Sequence, residues 1–190
     1  LKNDIKNKYV KKKAKGSFYK DVAFRSDKGD WETPYWLFEI LNFYFDFDWD
    51  VCADHENALC ENYFTKEFSC FENDWSCINY MNPPYGRGID LFVERAYRQY
   101  KDLGNVTVAL LPARTDTKYF HNFIYDKAEI IFIKGRLKFG GGKSYKEQGV
   151  PPANAPFPSM LVGWGVNPVT FDQLKEEING NRKQIELELE

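Results

Sequence analysis

Residues 78–88 read "INYMNPPYGRG", an apolar run that stops at Asn82 and two prolines. Proline has a fixed φ and no N–H, so Pro83-Pro84 ends the strand expected over Ile78–Met81, and Gly86 and Gly88 suit a turn. On the plainest reading this is a loop. Helical spacing begins directly behind it, with Ile89, Phe92, Val93, Ala96, Tyr97 and Tyr100 recurring on one face. Strand, break and helix in that order suggest a βαβ unit, and open α/β sheets bind ligands where their parallel strands end. The tetrad Asn82-Pro83-Pro84-Tyr85 therefore stands where chemistry is expected.

On the carboxyl side, "VTVALLP" (106–112) is a continuous apolar run, the mark of a strand buried on both faces, and "ARTDTKYF" is its exit loop. "AEIIFIKGRLKF" and "FPSMLVGWG" read as two further strands, separated by a Gly- and Pro-rich loop, 140–158, that closes an antiparallel or irregular edge. On the amino side, "DWETPYWLFEILNFY" predicts a helix with Thr33 as N-cap, Pro34 in the first position and an apolar face of Leu37, Ile40, Leu41 and Tyr44. "FDFDWDVCA" then alternates Phe45, Phe47, Trp49 and Val51 with Asp46, Asp48 and Asp50, predicting a strand that ends at or just beyond Asp50. "HENALCENYF" reads as a short helix followed by a short extended piece. The order predicts one α/β layered domain, 28–171, with a mostly parallel sheet flanked by helices. A basic arm, 1–27, precedes it, and a charged helix or tail, 172–190, follows.

Composition narrows the possibilities. The hydrophobic content of 43% over 190 residues suits a globular domain with a substantial core. The longest apolar runs are too short to span a bilayer and the Lys-rich start lacks a secretory apolar stretch, so the expectation is a soluble, intracellular protein. Cysteines at 52, 60, 70 and 77 form no Cys-x-x-Cys pair and are accompanied by only two histidines, which favours buried free thiols over a metal site. The net charge is −2, yet residues 1–20 hold eight Lys against Asp4, so basic character is confined to the arm. Such an arm suits either a polyanion or simple solvation. "GGGKS" at 140–144 imitates the end of a phosphate-binding P-loop, but position 137 is Leu where that motif needs glycine.

The tetrad has a chemical rationale. An exocyclic amino group on a nucleobase is a poor nucleophile because its lone pair is delocalised into the ring. Acceptors for its two N–H groups favour a more tetrahedral nitrogen in the transition state. Asn82 supplies an amide oxygen, the Pro83 carbonyl supplies a second acceptor whose direction Pro84 restricts, and Tyr85 offers a face on which an extruded base can stack.

"NPPY" after an apolar strand resembles the catalytic motif of S-adenosylmethionine-dependent amino-methyltransferases. With "TPYWLFEILN", "DVCADHENALCENYFT", "NPPYGRGIDLFVERAY", "LLPARTDTKYFH", "IKGRLKFGG" and "APFPSMLV" in order, the chain resembles the phage-type DNA N6-adenine methyltransferases, Dam-like enzymes of phages and prophages. The resemblance implies a Rossmann-like fold and methyl transfer from S-adenosylmethionine to a flipped-out adenine in double-stranded DNA, with no metal, in the cytoplasm of a bacterial host. It implies catalytic roles for Asn82, Pro83, Pro84 and Tyr85. Thr33, Pro34 and Trp36 would line the cofactor's methionine end, and Asp50, Ala53 and Asp54 would belong to the first-strand cofactor loop, with Asp50 facing the ammonium group. The glycine-rich loop usual after the first strand of such enzymes is absent from "DVCADHEN". No separate target-recognition domain fits, so DNA contacts are expected from Arg87, Arg114, Thr115, Lys118, Arg136 and Lys138. The same fold could instead serve cytosine N4, RNA or a protein amide, and a non-catalytic nucleic-acid-binding module is the alternative of another class. C5-cytosine methylation is disfavoured because no cysteine follows a proline.

If the arm meets phosphates, each one neutralised contributes about 0.9 to the salt slope of log K. Deleting residues 1–20 should flatten that slope in a DNA-binding titration and leave the methylated sequence unchanged. An unaltered slope makes the arm a bystander.

Overall fold

The computed structural model describes residues 31–140 and 153–180. The basic arm, "GGGKS" beyond Gly140 and the chain end after Gly180 lie outside them. Helix α1 (Tyr35–Phe45) leads to strands β1 (Trp49–Asp50), β2 (Asn62–Tyr63) and β3 (Ile78–Met81). Then come α2 (Ile89–Leu103), β4 (Val106–Pro112), α3 (Lys118–Phe123) and β5 (Glu129–Phe132). The chain continues through β6 (Lys138–Phe139), β7 (Ala153–Asn154), β8 (Ser159–Trp164) and α4 (Pro168–Gly180). Six strands form one sheet in the order β2-β1-β3-β4-β8-β5, and β6 pairs with β7 in a separate two-stranded piece.

Parallel pairing joins β2 to β1, β1 to β3 and β3 to β4, whereas β8 runs antiparallel to both β4 and β5. From β1 the chain goes first to β2 on one side and later to β3 on the other. The gap between the carboxyl ends of β1 and β3 is thus the switch point at which such sheets bind ligands.

β4 shows why both faces need covering. Ala109 and Leu111 pack with Phe92, Val93 and Ala96 of α2 and with Phe120 of α3 on one face. Val108 and Leu110 meet Leu37 and Leu41 of α1 and Phe171 and Leu174 of α4 on the other. The result is a mixed central sheet flanked by helices. α2 carries the expected face and runs three residues past Tyr100 to Leu103, where it is closed by Gly104, whose φ of 76° suits glycine and whose N–H bonds to the carbonyls of Gln99 and Tyr100.

Several expectations need correction. Thr33 does not cap α1; Pro34 precedes the helix, and the Thr33 hydroxyl is engaged elsewhere. The alternation from Phe45 is not a strand throughout, because α1 runs to Phe45 and Asp46 closes it at φ 49°. "HENALC" forms turns rather than a helix, although the extended piece exists as β2. The antiparallel edge expected from the last two strands is present as β5 against β8, with β8 inserted between β4 and β5. The boundary expected at residue 171 falls inside α4, whose Phe171, Leu174 and Ile178 are buried in the core. Of the four free thiols only Cys70 is fully buried, and Cys77 is exposed.

No helix among the described residues is long and apolar enough to cross a membrane. α4 is held close to β8 by Gly163: a Cβ there would lie 2.7 Å from Val166 Cγ2 and 2.9 Å from Phe171 Cε2. Gly163→Ala should therefore destabilise the protein by roughly 1–3 kcal/mol, as overpacking does. In urea the midpoint should fall with little change of slope.

Candidate active site

Asn82 follows β3 directly, at the switch point. Its Nδ2 donates to the Trp31 carbonyl at 2.6 Å and to Thr33 Oγ1 at 3.0 Å. A backbone carbonyl only accepts, so the amide nitrogen must occupy this position and Oδ1 must face the other way. Oδ1 is buried and has no partner among the described residues. The side chain is thereby fixed as a bare acceptor, because both amide protons are taken.

Tyr85 is anchored from the far side. Its hydroxyl donates to the Leu110 carbonyl of β4 at 3.0 Å, and burial pushes the phenol well above its ordinary pKa, so it stays a neutral donor. Phe157 and Phe139 meet its ring edge-on, with centroids 5.4 Å and 6.1 Å away. Trp31 contacts the same two phenylalanines at 5.4 Å each, closing an aromatic cluster over the tetrad. Gly86 N–H bonds to the Pro84 carbonyl, and Gly88 turns the chain into α2 at φ 99°.

Asp50 stands at the end of β1, hydrogen-bonded in register with Tyr80 of β3. It is 3% exposed although strand alternation would place it on the polar side. One carboxylate oxygen accepts from Cys52 N–H at 3.2 Å and the other from Leu59 N–H at 3.3 Å. These bonds favour the charged form, but desolvation outweighs them and lifts the carboxyl from 3.8 to about 6. Two N–H dipoles do not replace the lost water, and a cation would.

The other expected residues divide clearly. Ala53 N–H is bonded to the Phe64 carbonyl, extending the β1–β2 pairing. Asp54 is exposed, and both of its carboxylate oxygens are engaged by Glu56 N–H, Asn57 N–H and Asn57 Nδ2 in a local turn. Trp36 is half-buried against the α1–α4 core. Arg87, Arg114, Thr115, Lys118, Arg136 and Lys138 are exposed. Arg87 follows β3, Arg114 to Lys118 follow β4 and Arg136 follows β5, so these three loops leave the same carboxyl edge as Asn82. Burial raises the Cys52 thiol well above its ordinary value and Cys60 to about 12, which makes both poor nucleophiles. No group of residues that could hold a metal occurs among the described residues.

Sequence reasoning missed Trp31, Tyr80, Phe139 and Phe157. Tyr80 looked like one more apolar strand residue, and only the structure shows its hydroxyl 2.6 Å from Thr33 Oγ1.

Residues 22–166 match the family model described as DNA N-6-adenine-methyltransferase (Dam). The chain is 34% identical over 129 residues to the DNA N-6-adenine-methyltransferase of Haemophilus phage HP1 (strain HP1c1), covering 65% of this chain and 73% of that one. It is also 34% identical over 110 residues to the DNA N-6-adenine-methyltransferase of Escherichia phage T1, covering 56% of this chain and 45% of that one. The matched family segment contains the whole six-stranded sheet and the tetrad.

The raised Asp50 pKa has a signed consequence. A carboxyl whose folded pKa exceeds its unfolded one holds its proton more tightly when folded, so stability falls as pH rises from about 3.8 to about 6 and is level beyond. The loss is on the order of 2–3 kcal/mol. In urea unfolding of wild type and Asp50→Asn from pH 4 to 8, the stability difference should shift against wild type up to about pH 6 and then stay constant. A difference independent of pH would remove Asp50 as a desolvated acid.

Proposed function

Because the chain belongs to the DNA N-6-adenine-methyltransferase (Dam) family, we propose that it moves a methyl group from S-adenosylmethionine to N6 of an adenine turned out of double-stranded DNA. It is an adenine-specific DNA methyltransferase, and the orphaned Asn82 Oδ1 is the observation that carries the catalytic reading. A buried acceptor with no internal partner is destabilising unless a substrate proton completes it.

The residues present fit S-adenosylmethionine. Asp50 is a buried carboxylate in need of a cation at the switch point, and the cofactor carries an ammonium group. When bound, the cofactor supplies a methyl already activated by its sulfonium charge. Asn82 Oδ1 and the Pro83 carbonyl accept hydrogen bonds from the two N6–H groups and keep the nitrogen lone pair available. Tyr85 presents its face to the base, held by its bond to Leu110 and by T-shaped contacts with Phe139 and Phe157. Stacking of this kind contributes about 1–3 kcal/mol per base. Arg87, Arg114, Thr115 and Arg136 on loops, Lys118 at the start of α3 and Lys138 in β6 are exposed and suited to contact the duplex from which the base is drawn. The parallel run β2-β1-β3-β4, with β8 reversed beside it, supports a Rossmann-like methyltransferase fold.

Nucleosides from DNA treated with the enzyme and S-adenosylmethionine should contain N6-methyladenine. A product consisting of N4-methylcytosine would overturn the reading. Asn82→Ala should lower turnover by roughly 10²-fold or more with donor affinity nearly unchanged. Asp50→Ala should weaken donor binding first, and equal affinity losses in a calorimetric titration would mean that the two sites are misassigned.

A further inference from the structure

We propose that Thr33 and Tyr80 form an orientation lock on the Asn82 amide, so that Thr33 is a positioning residue for methyl transfer. The inference rests on the reading of Asn82 Oδ1 as the acceptor for the adenine amino group.

An asparagine amide can rotate half a turn with almost no change of shape, exchanging oxygen for nitrogen. For this reaction the exchange is fatal, since a nitrogen aimed at the substrate offers donors to a donor. Two groups oppose it. The Trp31 carbonyl would face a second oxygen, and Thr33 Oγ1 would lose the proton it accepts from Nδ2. A lock works only if its own parts are fixed, and Thr33 is fixed at both ends. Its hydroxyl lies 2.6 Å from the Tyr80 hydroxyl; in the lock Thr33 donates to Tyr80, which commits the proton that could otherwise bond a flipped Asn82 oxygen and leaves Oγ1 an acceptor for Nδ2. Tyr80 is fully buried, with Phe38 and Phe47 at ring distances of 5.2 Å and 5.5 Å. Pro34 restricts the backbone of Thr33, and Thr33 itself is only 4% exposed. The aromatic core thus holds Tyr80, Tyr80 holds Thr33, and Thr33 holds the amide nitrogen away from the substrate.

The test is a cycle of Thr33→Val, Thr33→Ser and Asn82→Ala in the full chain, read by single-turnover transfer of a labelled methyl group. Valine keeps the shape and loses the hydroxyl. At saturating S-adenosylmethionine, Thr33→Val should slow transfer by roughly three- to tenfold, the worth of one hydrogen bond. Thr33→Ser should recover the rate. In the Asn82→Ala background the valine should cause no further loss, because the amide it orients is gone. A readout independent of turnover is the Asn82 side-chain amide resonance in ¹⁵N-labelled protein, identified by its disappearance in Asn82→Ala. One of its two protons should exchange faster in Thr33→Val and slowly again in Thr33→Ser.

A loss at saturating donor that adds fully to that of Asn82→Ala, or an unchanged amide resonance, would each overturn the lock. If Asn82→Ala is impaired and Thr33→Val is silent, the lock alone fails. A fully active Asn82→Ala would remove the acceptor reading and the lock with it.

Discussion

Strand β3 is hydrogen-bonded on both sides, to β1 through the Trp49–Asn79 and Asp50–Tyr80 register and to β4 through four residue pairs from Ile78–Val106 to Met81–Ala109. A strand paired on both edges cannot slide without reversing which residues face each helical layer. That constraint puts Tyr80 into the α1 layer and Met81 into the α2 layer. It also sets Asn82 beside the end of β1, where Asp50 is. The tetrad's position follows from strand pairing, while its internal geometry follows from side-chain hydrogen bonds, from Asn82 to Trp31 and Thr33 and from Tyr85 to Leu110 of β4.

The site's polar groups are incompletely satisfied. Asp50 is desolvated beyond what two N–H donors offset, and Asn82 Oδ1 lacks a partner among the described residues. At the same sheet end Ser159 Oγ, opposite Pro112, is also buried without a partner among the described residues, whereas Asp54 pairs with Asn57 and Thr65 Oγ1 with the Glu67 and Phe68 N–H groups. The Asp50 deficit asks for a cation and the Asn82 deficit for a hydrogen-bond donor. An ammonium group and a base amino group differ in this same way.

Residues that carry strong local chemistry were legible in the sequence. Proline pairs, helical spacing and an unbroken apolar strand announced β3, α2 and β4 with nearly correct limits. Asp46 shows where such reading stops: a left-handed residue ends α1 at a point where alternating Phe and Asp suggest a continuing strand. Burial of Asp50 overrides the same alternation, because a parallel strand end enclosed by neighbouring loops has no solvent face. β8 was recognised as a strand, but its place between β4 and β5 depends on long-range pairing that no local signal carries. Trp31 and Phe157 lie far apart in sequence and meet only in the fold, so the aromatic cluster at Tyr85 had no local signature.

The tetrad is held from two independent directions. Residues 31–33 fix the Asn82 amide from the α1 side, and Leu110 of β4 fixes the Tyr85 hydroxyl from within the sheet. Between them Pro83 and Pro84 remove most of the remaining backbone freedom. An acceptor and a stacking face fixed to separate anchors keep their spacing through thermal motion of either neighbour. Little reorganisation is then left for the moment of transfer, which is where preorganised hydrogen bonds lower a barrier most. On the proposed reading the mobile partner is the base, and the cationic loops that leave the same edge of the sheet after β3, β4 and β5 are the surface proposed to bring it in.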